Sequence, residues 1–222
     1  MQDPRPQILI ADDHAVFAEA LRLLLEKSYS VVDIVGDGRS LVSAAARLKP
    51  DVIVVDIGMP LLNGLDAAQR IREQLPNVKI VFLTMQDNPN LAAAALQLEP
   101  AAFVLKQSAG SELLKAIEEV LHGRSYLTPK LRSDDWVTTK RRARQFSKEL
   151  SARQRDIVQM YAEGRPAKEI AYLLNLSQKT VEFHKRHIMD AFSLQSNADL
   201  VLFALKQGLI VLERPPATKK PS

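Results

Sequence analysis

The chain of 222 residues, 46% hydrophobic and 25% charged, has the proportions of a folded protein with room for one large domain or two small ones. It has no cysteine, which excludes disulfides, thiolate metal sites and cysteine nucleophiles; its apolar runs fall well short of the ~18 residues of a membrane span, and its start, MQDPRPQ, lacks the apolar centre of a secretory signal, so a cytoplasmic protein without a membrane partner is expected. The net charge of +4 hides an asymmetry: residues 1–122 carry 11 Lys and Arg against 16 Asp and Glu, whereas residues 123–222 carry 19 against 10, so a polyanion partner is expected for the second half only.

In chain order, short apolar runs alternate with segments of helical period. Ile8 to Ala11, Val31 to Val35, Val52 to Val55, Ile80 to Leu83 and Phe103 to Leu105 read as strands. Most are apolar without alternation, so both faces should be covered, as in a parallel sheet wound between helices. His14 to Glu26, Arg39 to Leu48, Gly64 to Gln74, Asn90 to Leu98 and Ser111 to Leu121 read as those helices. The sum is a (βα)5 doubly wound α/β domain over residues 1–122. From about His122 the periodicity fades, and Pro129, Trp136 and the basic run Lys140, Arg141, Arg142, Arg144 mark a linker over 123–149. Residues 150–212 carry no strand signal and read as a smaller all-α domain of four helices: Ala152 to Glu163, Ala167 to Leu174, Gln178 to Phe192 and Ala198 to Gln207. Ser151 with Gln154 forms a capping box, Gly164 and Asn175 follow the first two helices, and Ser177 caps the third. The tail, 213–222, with Pro215, Pro216, Lys219 and Lys220, reads as disordered.

In a wound parallel sheet, ligands sit beyond the carboxyl ends of the strands. The polar residues ending these runs are Asp12 and Asp13, Asp56, Thr84 and Lys106, all on one edge. Three carboxylates held close repel one another and call for a cation; oxygen ligands select a hard one, Mg²⁺. A carboxylate nucleophile beside Mg²⁺, a lysine and a hydroxyl donor makes a phosphoryl-accepting centre, because that chemistry needs mainly positioning and charge neutralisation. His14, beside the acidic pair, reads as a first-turn helix residue rather than a ligand.

In the second half, the helices 167–174 and 178–192, joined by Asn175, Leu176 and Ser177, have helix-turn-helix proportions. Ile170, Ala171, Leu174, Val181 and Ile188 should pack the pair, leaving Lys179, Glu182, Phe183, Lys185 and Arg186 outward, where long polar side chains can enter a major groove. His184 and His187 read as helix residues, not a metal site.

These residues carry a resemblance. The first 122 resemble the receiver domain of a two-component response regulator, and the whole chain resembles the NarL/FixJ type. The resemblance implies that Asp12 and Asp13 are the acidic pair, Asp56 the phospho-acceptor, Thr84 and Phe103 the switch residues and Lys106 the active-site lysine, with Met59, Pro60 and Gly64 in the loop after the acceptor. Residues 150–210, with Leu150, Ser151, Arg153, Ile157, Val158, Glu163, Gly164, Lys168 to Ala171, Leu174, Ser177, Thr180, Val181, His184 and Ile188, are similar to the LuxR-type motif. That similarity implies a third helix in DNA, with Thr180 among its contacts, and a homodimer through the receiver, the helix Ala198 to Gln207, or both. It further implies a histidine kinase or small phosphodonor as partner, inward movement of Phe103 on phosphorylation, and that the chain is not an enzyme; Phe103 reads equally as a core residue. The chain departs from the pattern at Glu99-Pro100-Ala101-Ala102, where a glycine-rich turn is usual, at Glu182, where Lys is common, and at Ser193, which replaces a usual glycine. Two other readings remain at this point: a hydrolytic phosphatase, and a receiver that senses a ligand without phosphorylation.

Overall fold

A computed structural model of the chain describes residues 5–131 and 150–210. The first body is a parallel six-stranded sheet in the order β2-β1-β3-β4-β5-β6, from β1 (Gln7–Ala11), β2 (Ser30–Val35), β3 (Val52–Asp56), β4 (Lys79–Thr84), β5 (Ala101–Leu105) and β6 (Tyr126–Leu127). The connections carry α1 (Ala15–Leu25), α2 (Gly38–Leu48), α3 (Gly64–Gln74), α4 (Pro89–Ala95) and α5 (Ala109–Leu121). Because strand side chains alternate, the apolar runs feed two cores. Leu9, Ile53, Val55, Ile80, Phe82 and Phe103 pack with residues of α2, α3 and α4. Ile8, Ile10, Val52, Val54, Val81 and Val104 pack with residues of α1 and α5. Each such side chain withdrawn from water contributes about 1.5–3 kcal/mol, which makes the central strands the anchor of the domain.

β6 was not expected. Tyr126 and Leu127 pair with Ala102 and Phe103 of β5, and Thr128 N–H donates to Phe103 O at 2.9 Å. Tyr126 Oη donates to Glu112 Oε2 at 3.1 Å, and Leu127 and Leu131 join the core. The start of the expected linker is therefore packed on the sheet, a role two residues are too short to announce by periodicity. α4 ends at Ala95, short of the expected Leu98, and the chain then turns before a cis Glu99–Pro100 peptide. The rest of the expected linker, with Trp136 and the Lys140 to Arg144 run, lies outside the described residues, as does the tail 213–222.

The second body has α6 (Ala152–Ala162), α7 (Ala167–Leu174), α8 (Gln178–Ala191) and α9 (Asn197–Lys206). Its boundaries follow the expected chemistry. The Ser151–Gln154 capping box opens α6, Asn175 ends α7 in the left-handed region at φ 54°, and Ser177 accepts from Thr180 N–H at the start of α8. Ile170, Ala171, Leu174 and Val181 pack with Ile157 and Met160, but Ile188 joins a second cluster with Val158, Leu200 and Ala204. α8 is thus held at its start by α7 and at its end by α6 and α9.

α6 faces α3 of the first body. Arg70 Nη2 donates to Asp156 Oδ1 at 2.5 Å, Arg155 pairs with Asp66, and Arg39 donates to the carbonyl of Leu173. Burial pushes the Asp156 carboxyl above the ordinary carboxylate range, with the Arg70 guanidinium pulling against it. Among the described residues, no helix is long and apolar enough to cross a membrane.

Ser193 keeps the turn before α9 by adopting φ 54°, a conformation that costs a residue with a Cβ about 1 kcal/mol or more relative to glycine. Ser193→Gly should therefore raise the unfolding midpoint in urea or on heating by the equivalent of about 1 kcal/mol; an unchanged midpoint would show that the serine side chain compensates.

Candidate functional site

The order of the sheet reverses between β1 and β3, whose carboxyl ends lie side by side, Ala11 opposite Val55. That switch point is where an open α/β sheet leaves a crevice. Asp12 leaves β1 into it and Asp56 ends β3 in it; both are buried. Lys106, in a 3-10 turn directly after β5, reaches the same crevice, and its Nζ lies 2.8 Å from Asp12 Oδ2 and 2.8 Å from Asp56 Oδ2. The contact to Asp56 is a hydrogen bond, whereas that to Asp12 is a pairing of charges without hydrogen-bond alignment. Asp56 Oδ1 accepts from Gly58 N–H at 3.1 Å. Gly64 is required here, because a Cβ at that position would sit 2.2 Å from Asp56 O.

Burial is the largest influence on Asp56 and raises its carboxyl above the ordinary range; the Lys106 ammonium pulls it down and Asp12 adds to the rise. Burial alone would lower Lys106, but the Asp56 and Asp12 carboxylates more than offset it and hold the ammonium above the ordinary lysine value. Donor atoms of Asp12, Asp13, His14 and Asp56 all lie within 4.8 Å of one another. Three carboxylates against one ammonium leave a surplus of negative charge, and an oxygen-rich donor set of this kind fits a hard divalent cation.

Four of the five expected strand-end residues are thereby accounted for at one edge, and the fifth, Thr84, is buried at the end of β4 with its Oγ1 accepting from Gln86 N–H at 3.1 Å. Asp13 is exposed at the rim. Phe103 is fully buried in the core on the α2–α4 side of the sheet, so the inward position expected after phosphorylation is already occupied here. His14 stands at the start of α1, as its N-cap residue, with Nδ1 at 2.9 Å from Asp13 Oδ1 and 3.2 Å from Asp12 Oδ1. The ring of Phe17, 5.0 Å from Lys106 Nζ, had no signal in the sequence.

On α8, Lys179, Glu182 and Arg186 are exposed, Phe183 is 64% exposed, and Thr180 is half-buried. Lys185 differs from its outward expectation: it is half-buried, its Nζ donates to Asn197 Oδ1 at 2.7 Å, and it lies 4.5 Å from the Tyr161 ring centre. Glu182 accepts from Gln178 Nε2 at 2.8 Å.

Replacing Lys106 leaves buried carboxylates without their cation. Lys106→Met should destabilise the protein by about 3 kcal/mol near neutral pH. The sign of its pH dependence follows from Asp56, whose raised carboxyl rises further without the ammonium. Such a group keeps its stabilising contribution below its unfolded value and loses it as pH climbs through the folded one, so the deficit should shrink as pH is lowered from neutral toward the ordinary carboxylate value of about 4. Thermal unfolding of both forms across that range measures it, and a deficit independent of pH would contradict this electrostatic account.

Comparison with known proteins agrees with this geometry. Residues 8–118 match the response regulator receiver domain, and residues 148–204 match the bacterial regulatory proteins of the luxR family. The oxygen regulatory protein NreC of Staphylococcus carnosus (strain TM300) is 34% identical over 214 residues, covering 92% of this chain and 99% of the relative. NreC of Staphylococcus haemolyticus (strain JCSC1435) is 35% identical over 219 residues, with the same coverage. Among solved structures, the RcsB response regulator of Salmonella typhimurium aligns at a TM-score of 0.63 with 27% identity, over 91% of this chain and 98% of that one. A structure of two RcsB dimers bound to two parallel DNAs aligns at 0.54 with 27% identity, over 91% and 98%. With an acidic crevice at the switch point of its sheet and a helix-turn-helix in its second body, the chain belongs to the response regulators, as a receiver domain joined to a LuxR-family regulatory domain.

Proposed function

We propose that Asp56 accepts a phosphoryl group and that this modification governs the binding of a dimer to DNA, making the chain a transcription regulator of a two-component system. The observation that carries the reading is the ion-paired triplet of Asp12, Asp56 and Lys106 at the switch point. In the transfer, an Asp56 carboxylate oxygen bonds to phosphorus as the bond from phosphorus to the donor breaks, and the electron pair leaves with the donor. The donor is a phosphohistidine of a histidine kinase or a small acyl phosphate. Lys106 neutralises and orients the incoming phosphoryl oxygens, and Thr84 offers its hydroxyl to one of them. Mg²⁺, held by Asp12, Asp13 and Asp56, would supply charge neutralisation at the same oxygens. The product places roughly one and a half to two negative charges, by analogy with other phosphorylated side chains, where a carboxylate stood.

The DNA reading rests on the exposed face of α8 and on the RcsB relatives, which are described in complex with DNA. Lys179, Thr180 and Arg186 would approach phosphates and base edges, Phe183 a thymine methyl, and Glu182 a cytosine amino group. A homodimer, formed through the receiver, α9 or both, would span paired half-sites. The protein would act in the cytoplasm.

Incubation with acetyl phosphate and Mg²⁺ should produce a labile adduct, detectable as a phosphate-affinity gel shift, that chelation of Mg²⁺ or Asp56→Asn abolishes. An adduct on Asp56→Asn would place the acceptor elsewhere, and rapid turnover of phosphomonoesters would favour a phosphatase. In DNA binding, Arg186→Ala should weaken affinity across sequences and reduce the salt slope by about one. Glu182→Ala should instead alter preference at a single base pair by about 1–3 kcal/mol, as measured by competition with substituted duplexes.

A further inference from the structure

Gln159 is a polar residue in the middle of α6, yet it is only 1% exposed, between the buried Val158 and Met160. The receiver covers it, and its amide is spent on the loop that follows Asp56. Gln159 Oε1 accepts from Asn63 N–H at 2.9 Å and from Asn63 Nδ2 at 3.3 Å. Gln159 Nε2 donates to Met59 O at 3.1 Å and to Glu163 Oε1 at 2.7 Å. Glu163 in turn accepts from Leu61 N–H at 3.3 Å. Three backbone polar groups of the loop, Met59 O, Leu61 N–H and Asn63 N–H, thus find their partners on Gln159 of α6 and on Glu163, its C-cap residue. Most of these contacts are to backbone, so they fix the path of the loop largely independently of its side chains. It also reaches α3, because Asn63 is the N-cap residue of that helix and its Oδ1 accepts from Asp66 N–H at 2.9 Å.

The same loop is tied to the acceptor at its other end. Gly58 N–H donates to Asp56 Oδ1, and Gly64 N–H donates to Ile57 O at 3.0 Å. Turning the Asp56 carboxylate into an acyl phosphate adds a bulky, charged group beside Gly58 and weakens the acceptor for its N–H. The loop has to adjust, and a loop whose middle and far end are held from outside resists adjustment.

We propose that Gln159 is a positioning residue of the phospho-acceptor centre: from the DNA-binding body it clamps the loop Met59–Asn63 and sets how readily Asp56 takes a phosphoryl group. This rests on the reading of Asp56 as acceptor. Coupling free energies are reciprocal, so a clamp that opposes modification of Asp56 is loosened by that modification to the same extent. The receiver and the DNA-binding body thereby sense each other through one amide.

The test uses the full chain with acetyl phosphate and Mg²⁺. Gln159→Met keeps the length of the side chain and removes both hydrogen-bonding atoms; Gln159→Glu keeps an acceptor for Asn63 and loses the donor to Met59. Labelling of Asp56 should run about fivefold faster in Gln159→Met, at the lower end of ordinary coupling between two sites, and faster than in the wild-type chain in Gln159→Glu as well, since its carboxylate faces Glu163 and Met59 O. Amide hydrogen exchange supplies a readout that general loosening does not move: Asn63 N–H should lose protection in Gln159→Met while Gly64 N–H keeps it. In the wild-type chain, beryllofluoride with Mg²⁺ should produce the same selective loss. Equal labelling rates with Asn63 deprotected would overturn the proposal, as would an Asn63 amide that stays protected in Gln159→Met. Should Gln159→Met fail to fold, Gln159→Glu carries the same comparison. Labelling that persists on Asp56→Asn, or is absent from every form, would instead remove the acceptor reading and the clamp with it.

Discussion

Everything at the sheet edge depends on one ammonium held between two buried carboxylates. Lys106 is the counter-charge that lets Asp12 and Asp56 stand side by side out of water. A buried triplet of this kind is a poor way to gain stability, since hydrophobic residues of the same volume would serve as well or better. Its presence at a topological switch point is what the proposed phosphoryl acceptance would account for. The carboxylate that would act as nucleophile is kept hydrogen-bonded and aimed, with surplus negative charge that invites a divalent cation. Around it the sheet is rigid: every strand residue of β3 and β5 is buried, and the two cores grip the sheet from both faces.

The join between the two bodies is of a different character. It is made from ion pairs and backbone hydrogen bonds, Arg70 with Asp156, Arg155 with Asp66, and Gln159 with the loop after the acceptor. Polar contacts like these contribute about 1 kcal/mol net between neutral groups and about 1.5–3 kcal/mol to charged ones, and they are sensitive to a change of neighbouring charge. An interface of this chemistry suits elements that must part, whereas the apolar cores on either side of it suit elements that must not.

Much of this was legible in the sequence because strands in a doubly wound sheet are apolar on both faces. The unbroken runs at 52–55 and 80–83 could be nothing else of that length, and their polar ends named Asp56 and Thr84 directly. Caps were legible for the same reason, being local: Ser151, Asn175 and Ser177 act within three or four residues of themselves. What was not legible depends on the chain meeting itself at a distance. Two residues of β6 have no period to recognise, although Leu127 pairs with Phe103 and joins the core. Lys185 sits on the helical face that spacing alone leaves to solvent, but Tyr161 and Asn197 come from helices whose approach angle the sequence does not state. Gln159 carried no signal, since a buried glutamine and an exposed one look alike until the partner surface is known.

One arrangement in the fold bears on how such a regulator can work. The receiver covers α6 and leaves the outer side of α8 open to solvent, Phe183 included. Under the proposed reading, α8 is therefore open to a duplex without any movement of the first body. What phosphorylation would then have to change is geometry, namely whether two such helices reach the separation and opposite orientation that a palindrome demands.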